Sequence, residues 1–271
     1  MKTKILIIAA ILISITFTAC KTHLNDPYYM DTTPPAPPTG VYVLNGDNRV
    51  DLTWDHNRES DVAGYNVYYS YSYNGKYTLI GSTKSNYFID GGAVNGTTYY
   101  YAVTAYDFNG NESELSYDVI YATPRPEGYN QSIMDYRQYP DQGGYSFTTY
   151  STVPYDDNET DFFFENYNGD LYLDVWDDSD IQDMGTTQDI YDIPKAPTSG
   201  WSSSKDAFAI PGHTYVIWTW DNHYAKIRIN SITGSRVTFD WTFQLVEGNR
   251  ELKTSKNTTG KRGQLTRSTK R

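Results

Sequence analysis

From residue 237 to 245 every second residue is apolar: Val237, Phe239, Trp241, Phe243 and Leu245 alternate with Thr238, Asp240, Thr242 and Gln244. Successive side chains of a strand point to opposite faces, so this period of two specifies one buried and one wet face. A helix, whose apolar stripe recurs every three to four residues, is excluded. Residues 50–54, 65–69 and 99–105 alternate in the same way, as do 223–232, where Ala225, Ile227 and Ile229 face in and Lys226, Arg228 and Asn230 face out. Asn45-Gly46, Asn74-Gly75 and Asn109-Gly110 punctuate the first half, and both residues of each pair tolerate the positive φ of a tight hairpin. Further strands are expected over 145–152, 161–165, 170–176, 214–220 and 236–246, with Asp221-Asn222 closing a hairpin. The chain reads as all-β: a β-sandwich followed by a second all-β domain.

Its 271 residues suit two domains. The 27 Tyr, 10 Phe and 6 Trp are too many for a disordered chain. A net charge of −11 argues against nucleic acid as a partner. A single cysteine excludes an internal disulfide framework and a four-cysteine metal site. No nucleophile elbow is present and no pattern isolates a pair of carboxylates for glycoside hydrolysis, so the chain reads as non-enzymatic, with no cofactor required.

Lys2 and Lys4 precede an uncharged run over 5–19, shorter than the roughly 20 residues of a membrane-crossing helix but suited to the apolar core of an export signal. The run ends in Phe17-Thr18-Ala19-Cys20, and Cys20 is the chain's one cysteine. This resembles the bacterial lipoprotein signal, in which the cysteine after the cut becomes lipidated, although Phe17 stands where that motif usually carries Leu. The resemblance implies a signal peptide over 1–19, a lipid anchor on Cys20 that makes the membrane a partner, and an exported protein at the outer membrane or cell surface. Residues 20–39, with Pro34, Pro35, Pro37 and Pro38, form an extended tether.

Trp54, Gly64-Tyr65-Asn66-Val67-Tyr68, Asn95-Gly96-Thr97-Thr98-Tyr99 and the hairpin from Tyr106 to Ser113 follow one another in this order. On these motifs, residues 40–123 resemble a fibronectin type III domain of the bacterial extracellular kind. The resemblance implies three structural residues: Trp54 buried on the second strand, Tyr65 on the third, and Tyr99 returning its hydroxyl to the upstream backbone. Ala93 stands where the family usually has Leu. Such a domain is a spacer or adhesion module as often as a binder. Asp55, Asn57, Glu59 and Asp61, and again Asp107, Asn109 and Asn111, alternate as calcium ligands do. Asn and Asp also cap turns through their own side chains, and that reading is preferred.

Pro124-Arg125-Pro126-Glu127-Gly128 reads as a linker over 124–128, leading to a second domain over 129–247. Within it, residues 212–232 (GHTYVIWTWDNHYAKIRINSI) resemble the terminal strands of HmuY-like haemophore lipoproteins. The resemblance implies an extracytoplasmic β fold and raises haem as a ligand. On a hairpin turning at 221–222, His213 and His223 lie roughly 25 Å apart at 3.3 Å per residue, too far to share one iron. Ligation by one His or a Tyr stays open. Candidate ligand contacts are Trp201, Trp218, Trp220 and His223; Trp201, within a loop over 184–206, could stack on a sugar ring, but core packing is the preferred reading for it. Asp177, Asp178, Asp180 and Asp183 are dense enough to consider Ca²⁺, although clustered carboxylates are more often a solvated surface.

Residues 248–271 form a basic tail expected to be disordered, with eight Lys and Arg against Glu251 from 250 onward. The leading function is a non-catalytic binding or adhesion module at the cell envelope. The first sandwich is its spacer, and the second domain meets a glycan or surface polymer. The alternatives are a haem or small-ligand scavenger and an accessory module in polysaccharide processing.

Overall fold

A computed structural model describes residues 30–118 and 120–253. The expected signal peptide, Cys20, the first part of the tether and the tail beyond 253 lie outside the described residues.

Seven strands build the first sandwich: β1 (Tyr42–Gly46), β2 (Arg49–Thr53), β3 (Val62–Ser70), β4 (Thr78–Thr83), β5 (Tyr87–Asp90), β6 (Tyr99–Asp107) and β7 (Ile120–Ala122). They form two antiparallel sheets in the orders β1-β2-β5 and β4-β3-β6-β7. The alternating apolar residues meet between them: Val43, Val50, Leu52 and Trp54 from one sheet, Tyr65, Val67, Tyr101 and Val103 from the other. Trp54 and Tyr65 pack edge to face at 5.3 Å. The amide of Val94 donates to the Tyr99 hydroxyl at 3.0 Å, so this ring ties down the turn before its own strand. The first hairpin turns two residues later than the Asn-Gly signal suggests. Gly46 pairs with Arg49, which leaves Asp47 and Asn48 as the loop, and Asn48 takes the positive φ of 47°.

Ten strands follow: β8 (Glu127–Met134), β9 (Gly144–Ser146), β10 (Ser151–Val153), β11 (Phe162–Tyr167), β12 (Asp170–Asp174), β13 (Asp180–Thr186), β14 (Asp206–Phe208), β15 (His213–Trp218), β16 (Tyr224–Thr233) and β17 (Arg236–Gln244). Two five-stranded sheets result, ordered β10-β9-β11-β12-β14 and β13-β15-β16-β17-β8. Val237, Phe239, Trp241 and Phe243 of β17 enter the core, as their period requires, and meet Tyr145, Phe147, Phe162 and Phe164 of the facing sheet. Tyr145 stands edge-on to Phe239 at 5.2 Å, and Phe147 stacks on Phe243 at 5.3 Å.

Strands β8, β13 and β14 arise where linker, acidic segment and loop are expected. All three lie at sheet edges. An edge strand is paired on one side only and tolerates a polar sequence, so its alternation is thin. In β13 only Ile181 is buried.

The 124–128 segment is no free linker. Pro124, Arg125 and Pro126 are buried and Glu127 already opens β8. The Gly96 amide donates to the Pro124 carbonyl at 2.8 Å and the Phe243 amide to the Pro126 carbonyl at 3.0 Å, so adjacent turns of chain bond to different sandwiches. Arg125 is wholly buried and its guanidinium has no hydrogen-bond partner. Across the same junction the Tyr121 hydroxyl reaches the Glu251 carboxylate at 2.7 Å. The packed chain likewise runs past 248: Leu252 is wholly buried, and its amide donates to the Pro194 carbonyl. Lys226, expected in water, is covered as well. Its ammonium donates to the Ile193 carbonyl at 2.9 Å, and burial holds its pKa well below that of an ordinary lysine.

Candidate functional site

At one end of the second sandwich, three loops enclose an open cleft of about 430 Å³ lined by Asp156, Asp157, Asn158, Thr160, Trp176, Asp178 and Trp220. Each loop is held from within. Between β10 and β11, the Thr160 hydroxyl donates to the Pro154 carbonyl at 2.7 Å and the Glu159 amide to the Asp157 carboxylate at 2.9 Å. After β12, the Ser179 amide returns to the Trp176 carbonyl at 3.0 Å, while Lys205 donates to the Ser179 carbonyl and to Asp180. The β15–β16 turn carries Trp220 and is fastened by the Thr219 hydroxyl, which donates to Asp221 at 2.5 Å and accepts from the His223 amide at 3.1 Å.

Both indoles of this cleft are open to solvent. Trp220 is 62% exposed and Trp176 40%. Trp176 is backed by Phe163 at 5.1 Å and flanked by Tyr155, which itself stacks on Tyr136 at 4.4 Å. A ring braced in this way presents a preformed apolar face with little ordering cost on binding. Carboxylates and one amide surround it, and no basic residue lines the cleft.

A buried carboxyl and a half-buried one lie close by. Asp161, next to Thr160, is 7% exposed and accepts the Phe147 amide at 2.6 Å. Burial pushes its pKa up to about 7, Asp221 and Glu159 push the same way, and His223 opposes them. Asp174, on β12, is also raised to about 7, first by burial and then by Glu165 and Asp206. These groups sit among hydrogen-bond acceptors and aromatic faces, an arrangement that binds hydroxyl donors and apolar ring faces.

Of the four expected ligand contacts only Trp220 lines the cleft. Trp201 and Trp218 lie 6.0 Å apart in a separate small core with Val216, Tyr224, Ala196 and Leu252. That core covers the outer face of β15 and β16, so packing claims both rings. His223 sits beside the cleft between Phe243 and Asp221, whose carboxylate is 3.1 Å from Nδ1 without the alignment of a hydrogen bond. His213 stands at the far end of β15, bound to Asp183 at 2.9 Å. The four aspartates considered for Ca²⁺ are drawn apart. Asp180 pairs with Lys205, Asp183 with His213, Asp178 faces the cleft, and Asp177 is exposed. Asp180 and Asp183, three apart on one strand, point to opposite faces. In the first sandwich, Asp107 accepts the amides of Asn109 and Asn111, and Asn57 and Glu59 bond to the backbone of Ala36. Trp176 and the 156–160 loop carry no motif. The one sequence signal for them is an aromatic residue on the outward parity of a strand whose alternate residues are core.

No family model matches the chain. An amylopullulanase of Thermoanaerobacterium saccharolyticum is 40% identical over 101 residues, 36% of this chain and 8% of that protein. Another, of Thermoanaerobacter thermohydrosulfuricus, is 39% identical over 88 residues, 32% of this chain and 6% of its own length. The chain thus spans less than a tenth of these relatives. Among solved structures, an Fn3-like protein from Clostridium thermocellum shares 35% identity, covering 31% of this chain and 88% of that one with a TM-score of 0.28. The N-terminal sandwich has the fibronectin type III fold. Its strand orders, the buried Trp54 and the Tyr99 hydroxyl bond are those expected of that fold. A fibronectin type III fold is a scaffold and names no ligand.

Proposed function

We propose that the protein is a non-catalytic, glycan-binding accessory module, carried at the cell envelope by a lipid on Cys20. In this reading the fibronectin type III sandwich holds the second sandwich outward. The observation that carries it is the cleft between Trp176 and Trp220, where two exposed indoles are set among Asp156, Asp157, Asn158 and Asp178. The C–H face of a sugar ring packs on an indole while its hydroxyls donate to carboxylates, and no reactive nucleophile is needed. The amylopullulanase similarity supports the same reading from another side, since it places related sequence within a polysaccharide-processing enzyme.

Affinity electrophoresis through gels holding starch, pullulan or laminarin tests it. Retardation by at least one polymer is expected, and Trp220→Ala or Trp176→Ala should weaken it by about tenfold, the scale of one lost aromatic stacking contact. Equal migration of the wild type in every gel, or retention unchanged by both substitutions, would refute the assignment.

A further inference from the structure

The cleft opens onto a sheet face with its own aromatic pair. Along β12 and just beyond it, Leu171, Leu173 and Val175 point into the core, so Tyr172, Asp174 and Trp176 share the opposite face. Pairing sets Tyr172 against Phe208 and Asp174 against Asp206 on β14. The rings of Tyr172 and Phe208 stack at 4.8 Å, and Phe208 is exposed. At 3.3 Å per residue Tyr172 lies about 13 Å from Trp176, longer than a single sugar ring, and Trp176 shares its cleft with Trp220. Between the two aromatic stations lies the half-buried Asp174.

Carboxylates predominate along this face. Asp156, Asp157, Asp178, Asp174 and Asp206 lie on or beside it. The nearby cations are already engaged, Arg137 by Glu165 at 2.6 Å and Lys205 by Asp180 at 2.9 Å. A uronic acid or sulfated polymer would meet uncompensated carboxylates, whereas a neutral chain offers hydroxyl donors to them.

Resting on the glycan reading above, we infer that the outer face of β12 and β14 continues the Trp176–Trp220 cleft, so that the site takes an extended run of uncharged sugars. Tyr172 and Phe208 form a second stacking station.

The test is calorimetric titration of the full chain with two-unit and seven-unit oligosaccharides of whichever neutral polymer is retained in the gels, with polygalacturonate as the anionic probe. The seven-unit chain should bind at least about tenfold more tightly than the two-unit one. Phe208→Ala combined with Tyr172→Ala should erase that gain and leave two-unit binding unchanged. Polygalacturonate should not bind. Equal affinity for the two lengths, an intact length dependence in the double variant, or polygalacturonate binding would each overturn the extended neutral site while leaving the Trp176–Trp220 reading in place. Failure of every polymer to bind would overturn both.

Discussion

Asp161→Asn isolates the cost of a carboxyl buried beside the cleft. In the folded protein burial holds this group at a pKa of about 7, against an ordinary value of 3.8. Below the ordinary value both folded and unfolded chains keep the proton, and the group does not affect stability. Between that value and 7 only the unfolded chain releases it, so stability falls as pH rises, by about 1.4 kcal/mol per pH unit. Above 7 both states are ionised and the loss levels off at no more than about 4 kcal/mol. Asn keeps a carbonyl oxygen for the Phe147 amide, whose bond to Asp161 is 2.6 Å, and cannot ionise. Urea unfolding followed by tryptophan fluorescence should therefore give matching midpoints for wild type and variant near pH 4 and a growing advantage for the variant toward pH 8. The variant retains a shallower fall of its own, because Asp174 is raised to a similar value. A constant difference across this range would mean that folding leaves this pKa unshifted, a variant less stable at pH 8 would mean that the folded protein stabilises the Asp161 carboxylate, and either would refute the argument.

Arg125→Met should be neutral or stabilising by up to about 4 kcal/mol, because the wholly buried guanidinium makes no hydrogen bond among the described residues and burial outweighs the opposing charge of Glu127; a loss of several kcal/mol in chemical denaturation would show that the charge is compensated. Trp54, 3% exposed and packed against Tyr65, should cost about 3–5 kcal/mol on replacement by Ala, read as a drop in the same denaturation midpoint. Cys20→Ser should move the protein from the membrane fraction to the soluble fraction of cells producing it, and a variant that stays with the membrane would remove the lipid anchor from the proposal.

The amino-acid sequence alone determined the all-β class, a β-sandwich ahead of a second β domain, and the inward face of β17. Each depends on local information: a period of two, turn residues, and motifs around Trp54, Tyr65 and Tyr99 that occur in order. What it left open was which outward faces stay outward. Trp218 and Trp220 share the same parity in one strand and turn, yet Trp218 is roofed by Trp201 and Leu252 while Trp220 is open. Lys226 and Arg125 are polar by sequence and buried by chain segments that arrive from far away. The cleft brings residues 156–160, 176–178 and 220 together from three loops, and a local pattern carries no record of such a meeting. Alternation specifies which side chains share a face. Only long-range packing decides whether that face is covered by another segment or left for a ligand, because covering it depends on where the rest of the chain comes to lie.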